Sequence, residues 1–263
     1  MTITLSAHLA RVYDLLIATY GEPQNEPDYD PVGGLIGTIL SQHTSDINSE
    51  RAYKQLVETF PTWEDVRDAP TYKVAEAILS GGLANIKARR IQDVLHELTE
   101  LQAQRGDTRP LAHALDELSH TQPEEAWRSL RKLPGVGPKT AACVLMFNLD
   151  MPVMPVDTHV HRVSQRLGLI GPKVSADQAH DIFARHLPPE WVYPLHVNLI
   201  RHGRLVCNAQ RPKCEQCTLY SECAFVGSVD VQETLLSVEQ CSHSPIPLSP
   251  VYPASGGAPR SGG

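Results

Sequence analysis

The stretch Leu133-Pro134-Gly135-Val136-Gly137-Pro138-Lys139-Thr140-Ala141 breaks one helical pattern and starts another. A helix over about 123–132 runs into two glycines separated by one apolar residue, and a second helix restarts at Pro138. Glycine permits positive φ and close approach of the backbone to a ligand. Proline suits a first helical turn, where its missing N–H costs nothing. The predicted product is a tight hairpin whose backbone N–H groups, at Gly135, Val136 and Gly137, point to solvent beside a helix N-terminus. Such an arrangement binds phosphate. Lys139 then falls in the first turn of the second helix, where the positive end of the macrodipole disfavours a cation. That placement is poor for a solubilising lysine but useful for a nucleophile, because the same field favours the neutral, reactive amine. Residue chemistry alone leaves both roles open for Lys139, nucleophile and phosphate contact.

Downstream, Pro155-Val156-Asp157-Thr158-His159-Val160-His161-Arg162 follows Met151-Pro152-Val153-Met154-Pro155, which can only be extended. Asp157 therefore starts the next helix. As structure it is an N-cap accepting an N–H two or three residues on; as function it is a carboxylate held where positive charge could develop. The two roles are compatible, because a cap fixes the carboxylate in place.

The rest of the pattern is helical almost throughout. Leu5, Leu9, Val12, Leu16 and Tyr20 recur at helical spacing, as do Ile91, Leu95, Leu98 and Leu101. Windows 32–41, 45–59, 71–79, 138–148, 158–167, 175–186 and 191–206 read as further helices, separated by Pro and Gly signals such as Phe60-Pro61, Gly81-Gly82 and Gly171-Pro172. No period-two strand is visible and no repeat of solenoid length, so the fold class is all-α. From about Val226 the character changes, and Ser242–Gly263, dominated by Ser, Pro and Gly, reads as a disordered tail.

Composition bounds this further. The chain has 263 residues, 41% hydrophobic and 20% charged, which is ordinary globular usage. No stretch approaches the roughly 20 apolar residues of a membrane span. The first residues lack a basic and an apolar signal region, so an intracellular location is the expectation. The net charge of −7 is unhelpful for a nucleic-acid binder, but it is concentrated in Glu22, Glu26, Asp28 and Asp30 and in the tail. Elsewhere Lys87, Arg89 and Arg90 cluster, as do Arg128, Arg131, Lys132 and Lys139, so a local basic face is possible.

Six cysteines are present, and Cys207, Cys214, Cys217 and Cys223 fall within seventeen residues as C-x6-C-x2-C-x5-C. Without an oxidising context such a group reads as a metal site. Four thiolates at this density suit zinc or an iron–sulfur cluster, and spacing alone does not choose. Arg201, Arg204, Arg211 and Lys213 surround the group and could aim it at phosphates. Cys143, in an apolar helix, reads as a buried thiol, and Cys241 lies in the tail.

Taken together, the hairpin-lysine and Val-Asp-Thr-His stretches resemble the helix-hairpin-helix, Gly/Pro-Asp superfamily of DNA glycosylases, and within it the endonuclease III kind. The resemblance runs from about residue 5 to residue 225. It implies a two-lobed helical fold: a six-helix domain over 22–150 ending in the hairpin, and a cluster domain combining 1–21 with 151–225, with 226–263 as the tail. It implies Lys139 as a nucleophile on the sugar C1′ and Asp157 as its electrostatic partner. It implies a 4Fe–4S cluster on Cys207, Cys214, Cys217 and Cys223, whose spacing matches the family's loop. The implied substrate is double-stranded DNA carrying oxidised or ring-saturated pyrimidines, bound by a monomer with no membrane association. Base excision is followed, through a Schiff base, by β-elimination 3′ to the lesion.

A base inside a duplex must be rotated out before its glycosidic bond is attacked. By the same resemblance, Leu40–Asp46 matches the family's gap-filling loop, with Gln42 and His43 at the DNA, and Gly82-Leu83-Ala84-Asn85 matches a second wedge led by Leu83. His43 stands where the family usually has Gln, Ala84 where it has an aromatic, and the link Leu111–Arg131 is longer than usual. These departures bear on opposite-base contacts and substrate range. They leave two alternatives: a mismatch-directed thymine or uracil glycosylase on the same scaffold, and a non-catalytic DNA-binding relative.

Overall fold

A computed structural model describes residues 2–231. The chain there is helical: α1 (Leu5–Tyr20), α2 (Pro31–Ser41), α3 (Asp46–Thr59), α4 (Trp63–Asp68), α5 (Thr71–Ala77), α6 (Ala84–Arg105), α7 (Pro123–Leu130), α8 (Pro138–Cys143), α9 (Thr158–Leu167), α10 (Ala176–His186) and α11 (Val192–Leu205). Helix starts follow local chemistry. Asp30, Ser45 and Asp157 accept from the N–H three residues on, and Thr62 with Asp65, and Ser175 with Gln178, close capping boxes. Proline opens α2, α7 and α8.

Buried apolar side chains form two cores. The first takes α2 to α8, with Leu35, Ile39, Leu56, Ile91, Leu95, Leu130 and Leu145 among its members. The second takes α9 to α11 and recruits Leu9, Val12 and Leu16 of α1 from the far end of the chain. The window read as one helix over 138–148 is two pieces, because α8 passes into a π turn over Val144–Asn148. A π turn rotates the residues that follow relative to an α-helix. Here Leu145 packs in the first core and Met146 in the second, so the turn joins the two.

Two stretches without a predicted role are structural. In the long link, Leu111, Ala114, Leu115 and Leu118 are buried in the first core, and the Leu111 N–H donates to Glu64 Oε1 at 2.7 Å. In the acidic stretch, Asp28 accepts from Asn148 Nδ2 at 2.8 Å and Asn25 donates to the Met146 carbonyl at 2.9 Å, tying the linker to the π turn.

The sequence pattern missed one feature. Thr2–Ile3 pairs in parallel with Asp230–Val231, a strand pair too short for alternation to register. It also corrects the start of the tail. Ala224–Val226 is a 3-10 turn, and the chain stays structured to Val231, well past the expected boundary at 226. Residues 232–263, with Cys241 and Ser242–Gly263, lie outside the described residues. Among the described residues no helix is long and apolar enough to cross a membrane.

Candidate active site

The hairpin is built on apolar anchors. Leu133 and Val136 are buried, and Trp127 Nε1 of α7 donates to the Pro138 carbonyl at 3.0 Å, locking the two helices together. The Arg131 guanidinium lies over the Trp127 ring at 4.3 Å. Only one of the two glycines uses its conformational freedom. Gly135 has φ +71°, and a Cβ there would stand 2.8 Å from Arg90 Nε, whereas Gly137 is extended at φ −86° and ψ 174°. Val136 turns its side chain inward, so only its backbone is available to a ligand. Lys139 sits exposed in the first turn of α8.

Asp157 caps α9, its Oδ1 accepting the Val160 N–H at 2.7 Å, and is half-buried. Two neighbours lie within electrostatic reach of both Lys139 and Asp157. His196 of α11 is buried, with Nδ1 2.9 Å from the Pro155 carbonyl oxygen. Burial pulls its pKa down to about 4, while Asp157 acts upward and Lys139 downward. The Cys143 thiol is pushed up to about 11 by its dense surroundings, with Lys139 acting downward and Asp157 upward. Cys143 keeps partial exposure rather than the full burial expected of it. Beyond Cys143, Phe147 meets Tyr193 and His196 edge-on, with centroids 5.9 and 5.7 Å apart. A recess of about 400 Å³, lined by Asn25, Asp150, Glu190 and Tyr193 among others, includes neither Lys139 nor Asp157.

Of the two expected wedge loops, the one carrying Gln42 reaches α8 through Thr140. His43 and Leu83 are both exposed and both left-handed, with φ 55° and 50°. That conformation is costly for residues other than glycine and is held by surrounding contacts. Gln42 behaves differently from its neighbour. Its Oε1 accepts from Arg90 Nη1 at 2.6 Å and its Nε2 donates to Thr140 Oγ1 at 3.3 Å, so it braces the loop against the hairpin beside Lys139. Leu79 and Ile86 add exposed apolar surface next to Leu83.

The basic cluster read from 87–90 does not exist as a surface. Lys87 is 2% exposed, its amine donating to the Leu40 and Gly81 carbonyls, and Arg90 is half-buried and donates to Gln42, which leaves Arg89 exposed. A helical period places a residue on a face but does not say that a long cationic stem will turn inward. In the second cluster Arg128 pairs with Glu124 and Arg131 covers Trp127, while Lys132 and Lys139 remain exposed.

The four clustered cysteines are half-buried free thiols around α9 and α11. Cys207 Sγ lies 3.3 Å from Arg166 Nη1, and Cys223 Sγ lies 3.4 Å from the Arg166 carbonyl. Cys217 Sγ lies 3.5 Å from His202 Nε2, whose Nδ1 is 2.9 Å from the Tyr20 hydroxyl. Burial first, then the neighbouring cysteines, push the Cys217 and Cys223 thiols up. Among the described residues no three His, Cys, Asp or Glu side chains converge as a single ion would require. Sequence reasoning missed Arg162, Arg166 and His202. The first two, four residues apart on α9, hold the Gly203, Cys207, Asn208 and Ala209 carbonyls. Arg201 and Arg204 pair with the Tyr20 carbonyl and Asp46, while Arg211 and Lys213 are exposed.

Known proteins align with this geometry. The family model of the HhH-GPD superfamily base excision DNA repair proteins matches residues 36–189, which include the hairpin, Lys139 and Asp157. The chain is 34% identical over 203 residues to endonuclease III of Thermotoga maritima, covering 77% of this chain and 87% of that protein. It is 32% identical over 216 residues to endonuclease III of Rickettsia prowazekii, covering 82% and 93%. A solved endonuclease III trapped as a covalent intermediate with DNA superposes with a TM-score of 0.66 at 29% identity, covering 84% of this chain and 96% of that one. The chain therefore belongs to the HhH-GPD superfamily of base excision DNA repair proteins, as a glycosylase of the endonuclease III type.

Proposed function

We propose that the protein is a bifunctional DNA glycosylase and abasic-site lyase, acting as a monomer on oxidised or ring-saturated pyrimidines in double-stranded DNA. The observation that carries this reading is the placement of Lys139, exposed in the first turn of α8, and Asp157, fixed as the cap of α9, each within electrostatic reach of His196 and Cys143. The DNA-bound state of a solved relative supports the same partner. The Lys139 amine attacks the sugar C1′. The C1′–base bond breaks, its electron pair leaves with the base, and the departing base takes up a proton. Asp157, held by its cap to Val160, stabilises the positive charge that develops on the sugar. The bound amine gives up one proton, its lone pair forms the C1′–N double bond, the C1′–O4′ bond breaks and O4′ takes up a proton, which opens the sugar to a protonated Schiff base. A proton then leaves C2′, and the 3′ carbon–oxygen bond breaks with its electrons departing on the phosphate. His196, neutral at pH 7, and Phe147 with Tyr193 form walls beside this centre. The hairpin backbone takes a phosphate, while His43 and Leu83 fill the space vacated by the rotated nucleotide.

Cys207, Cys214, Cys217 and Cys223 would hold a 4Fe–4S cluster. Their chemistry fits it: four free, half-buried thiols within one loop, with Cys217 and Cys223 raised by burial and by the charge of the neighbouring cysteines. The cluster supplies a cross-link for a loop with little apolar burial of its own. Lys139→Gln tests the reading. Borohydride trapping and strand cleavage should vanish together while duplex binding persists. A Lys139→Gln protein that still forms a trappable adduct would assign the nucleophile elsewhere.

A further inference from the structure

We propose that Lys87 is a positioning residue that clamps the two DNA-facing loops in register, so that His43 and Leu83 enter the duplex as one unit. The inference rests on the reading of those loops as strand-invading segments.

Lys87 lies in the first turn of α6, 2% exposed, and its Nζ donates to the Leu40 carbonyl at 2.7 Å and the Gly81 carbonyl at 2.8 Å. Both carbonyls end a helical segment. Leu40 is in the last turn of α2, three residues before His43, and Gly81 closes the 3-10 turn Leu79–Gly81, two residues before Leu83. Carbonyls at such ends lack an intrahelical partner and present the negative end of the dipole, which favours a cation. One nitrogen therefore joins the two helical ends from which the loops leave.

The surroundings reinforce the clamp. A Cβ on Gly81 would lie 3.1 Å from the Ala52 Cβ, so the 3-10 turn sits flush on α3 and leaves the amine just enough room. The Lys87 N–H itself donates to the Leu83 carbonyl at 3.0 Å, which fixes the left-handed residue from the other side. No carboxylate pairs with the amine among the described residues; burial lowers its pKa, and both of its hydrogen bonds go to these backbone oxygens. A buried ammonium is expensive unless its hydrogen bonds are good. An apolar side chain would fill this place at lower cost, so what Lys87 adds is the connection between two loops, and preorganised loops raise activity where strand invasion is required.

The test compares two substrates. One is an oxidised pyrimidine in fully paired duplex, which requires invasion. The other is an abasic site in a single strand, which requires none. Lys87→Met, and separately the milder Lys87→Gln, should lose roughly 10–100-fold in duplex excision, the scale of one or two charge-assisted hydrogen bonds. Cleavage of the single-stranded abasic site should stay within a few-fold of the parent. A 2-aminopurine beside the lesion should brighten less on binding, an unstacking signal that a general loss of stability does not produce. Equal losses on both substrates in a folded variant, or no loss on either, would overturn the clamp. Leu83→Ala and His43→Ala run in parallel separate the layers. Should they show the duplex-selective loss while the Lys87 variants do not, only the clamp fails. Should they show none, the reading of the loops fails and the clamp with it.

Discussion

The hairpin region, 123–143, which carries Lys139, and the cysteine region, 207–226, are held by different forces. The hairpin is an apolar construction: Ala126, Trp127, Leu130, Leu133, Val136 and Ala141 are all buried. In the cysteine region Leu219 is the one fully buried apolar side chain, and backbone carbonyls reach outward to Arg162 and Arg166 instead. Hydrophobic burial is distributed and survives the loss of any single contact. A polar loop strung over short 3-10 turns depends on a few cross-links. The first region should therefore keep its shape by packing alone, and the second should need what its thiols bind.

That contrast is easiest to break at Cys214. Replacing it with Ser should cost on the order of 5 kcal/mol or more where metal binding is coupled to folding, with loss of iron from the purified protein. Val136→Ala in the hairpin should cost only about 1 kcal/mol, with iron unchanged. Parallel melts with iron analysis check both, and similar losses in the two would remove the contrast. Asp157→Asn sharpens it from the catalytic side. The amide keeps shape and part of the capping ability but not the charge, so base excision should fall roughly 10²–10³-fold. Reaction at a preformed abasic site should suffer less, because no base remains to be expelled. A further effect concerns pH. His196 must stay neutral in the fold, with a pKa lowered to about 4 from an ordinary value of 6.5. Its contribution is thus complete above pH 6.5 and lost as pH falls toward 4, with a slope of at most about 1.4 kcal/mol per pH unit. Stability measured against pH should lose this slope in His196→Gln.

Much of this was legible in the residues because it is local. The Pro/Gly punctuation of 134–138 dictated the hairpin, and Asp157 after an extended Pro-bounded stretch dictated a cap, so both proposed catalytic residues could be placed before any packing was known. The cysteine spacing marked its loop for the same reason. What sequence could not give is long-range or a matter of degree. Lys87 read as a surface cation because nothing in a helical period reveals two carbonyls from other elements waiting for it. The hydrogen bonds of Gln42 to Arg90 and Thr140, far away in the chain, likewise carry no local signal. The link 111–131 read as an unexplained insertion because its apolar residues sit in 3-10 turns, which lack the 3.6 period. The π turn after Cys143 carries no composition signal at all, although it directs neighbouring residues into two different cores.

The central claim is that Lys139 is the amine that attacks the sugar, and mapping the reduced adduct tests it most directly. The unaltered protein is incubated with duplex DNA carrying an oxidised pyrimidine, reduced with borohydride, digested, and its DNA-linked peptide sequenced by mass spectrometry. The account predicts a single modified peptide containing Lys139. An adduct on any other amine, or excision of the base with no adduct at all, would contradict it.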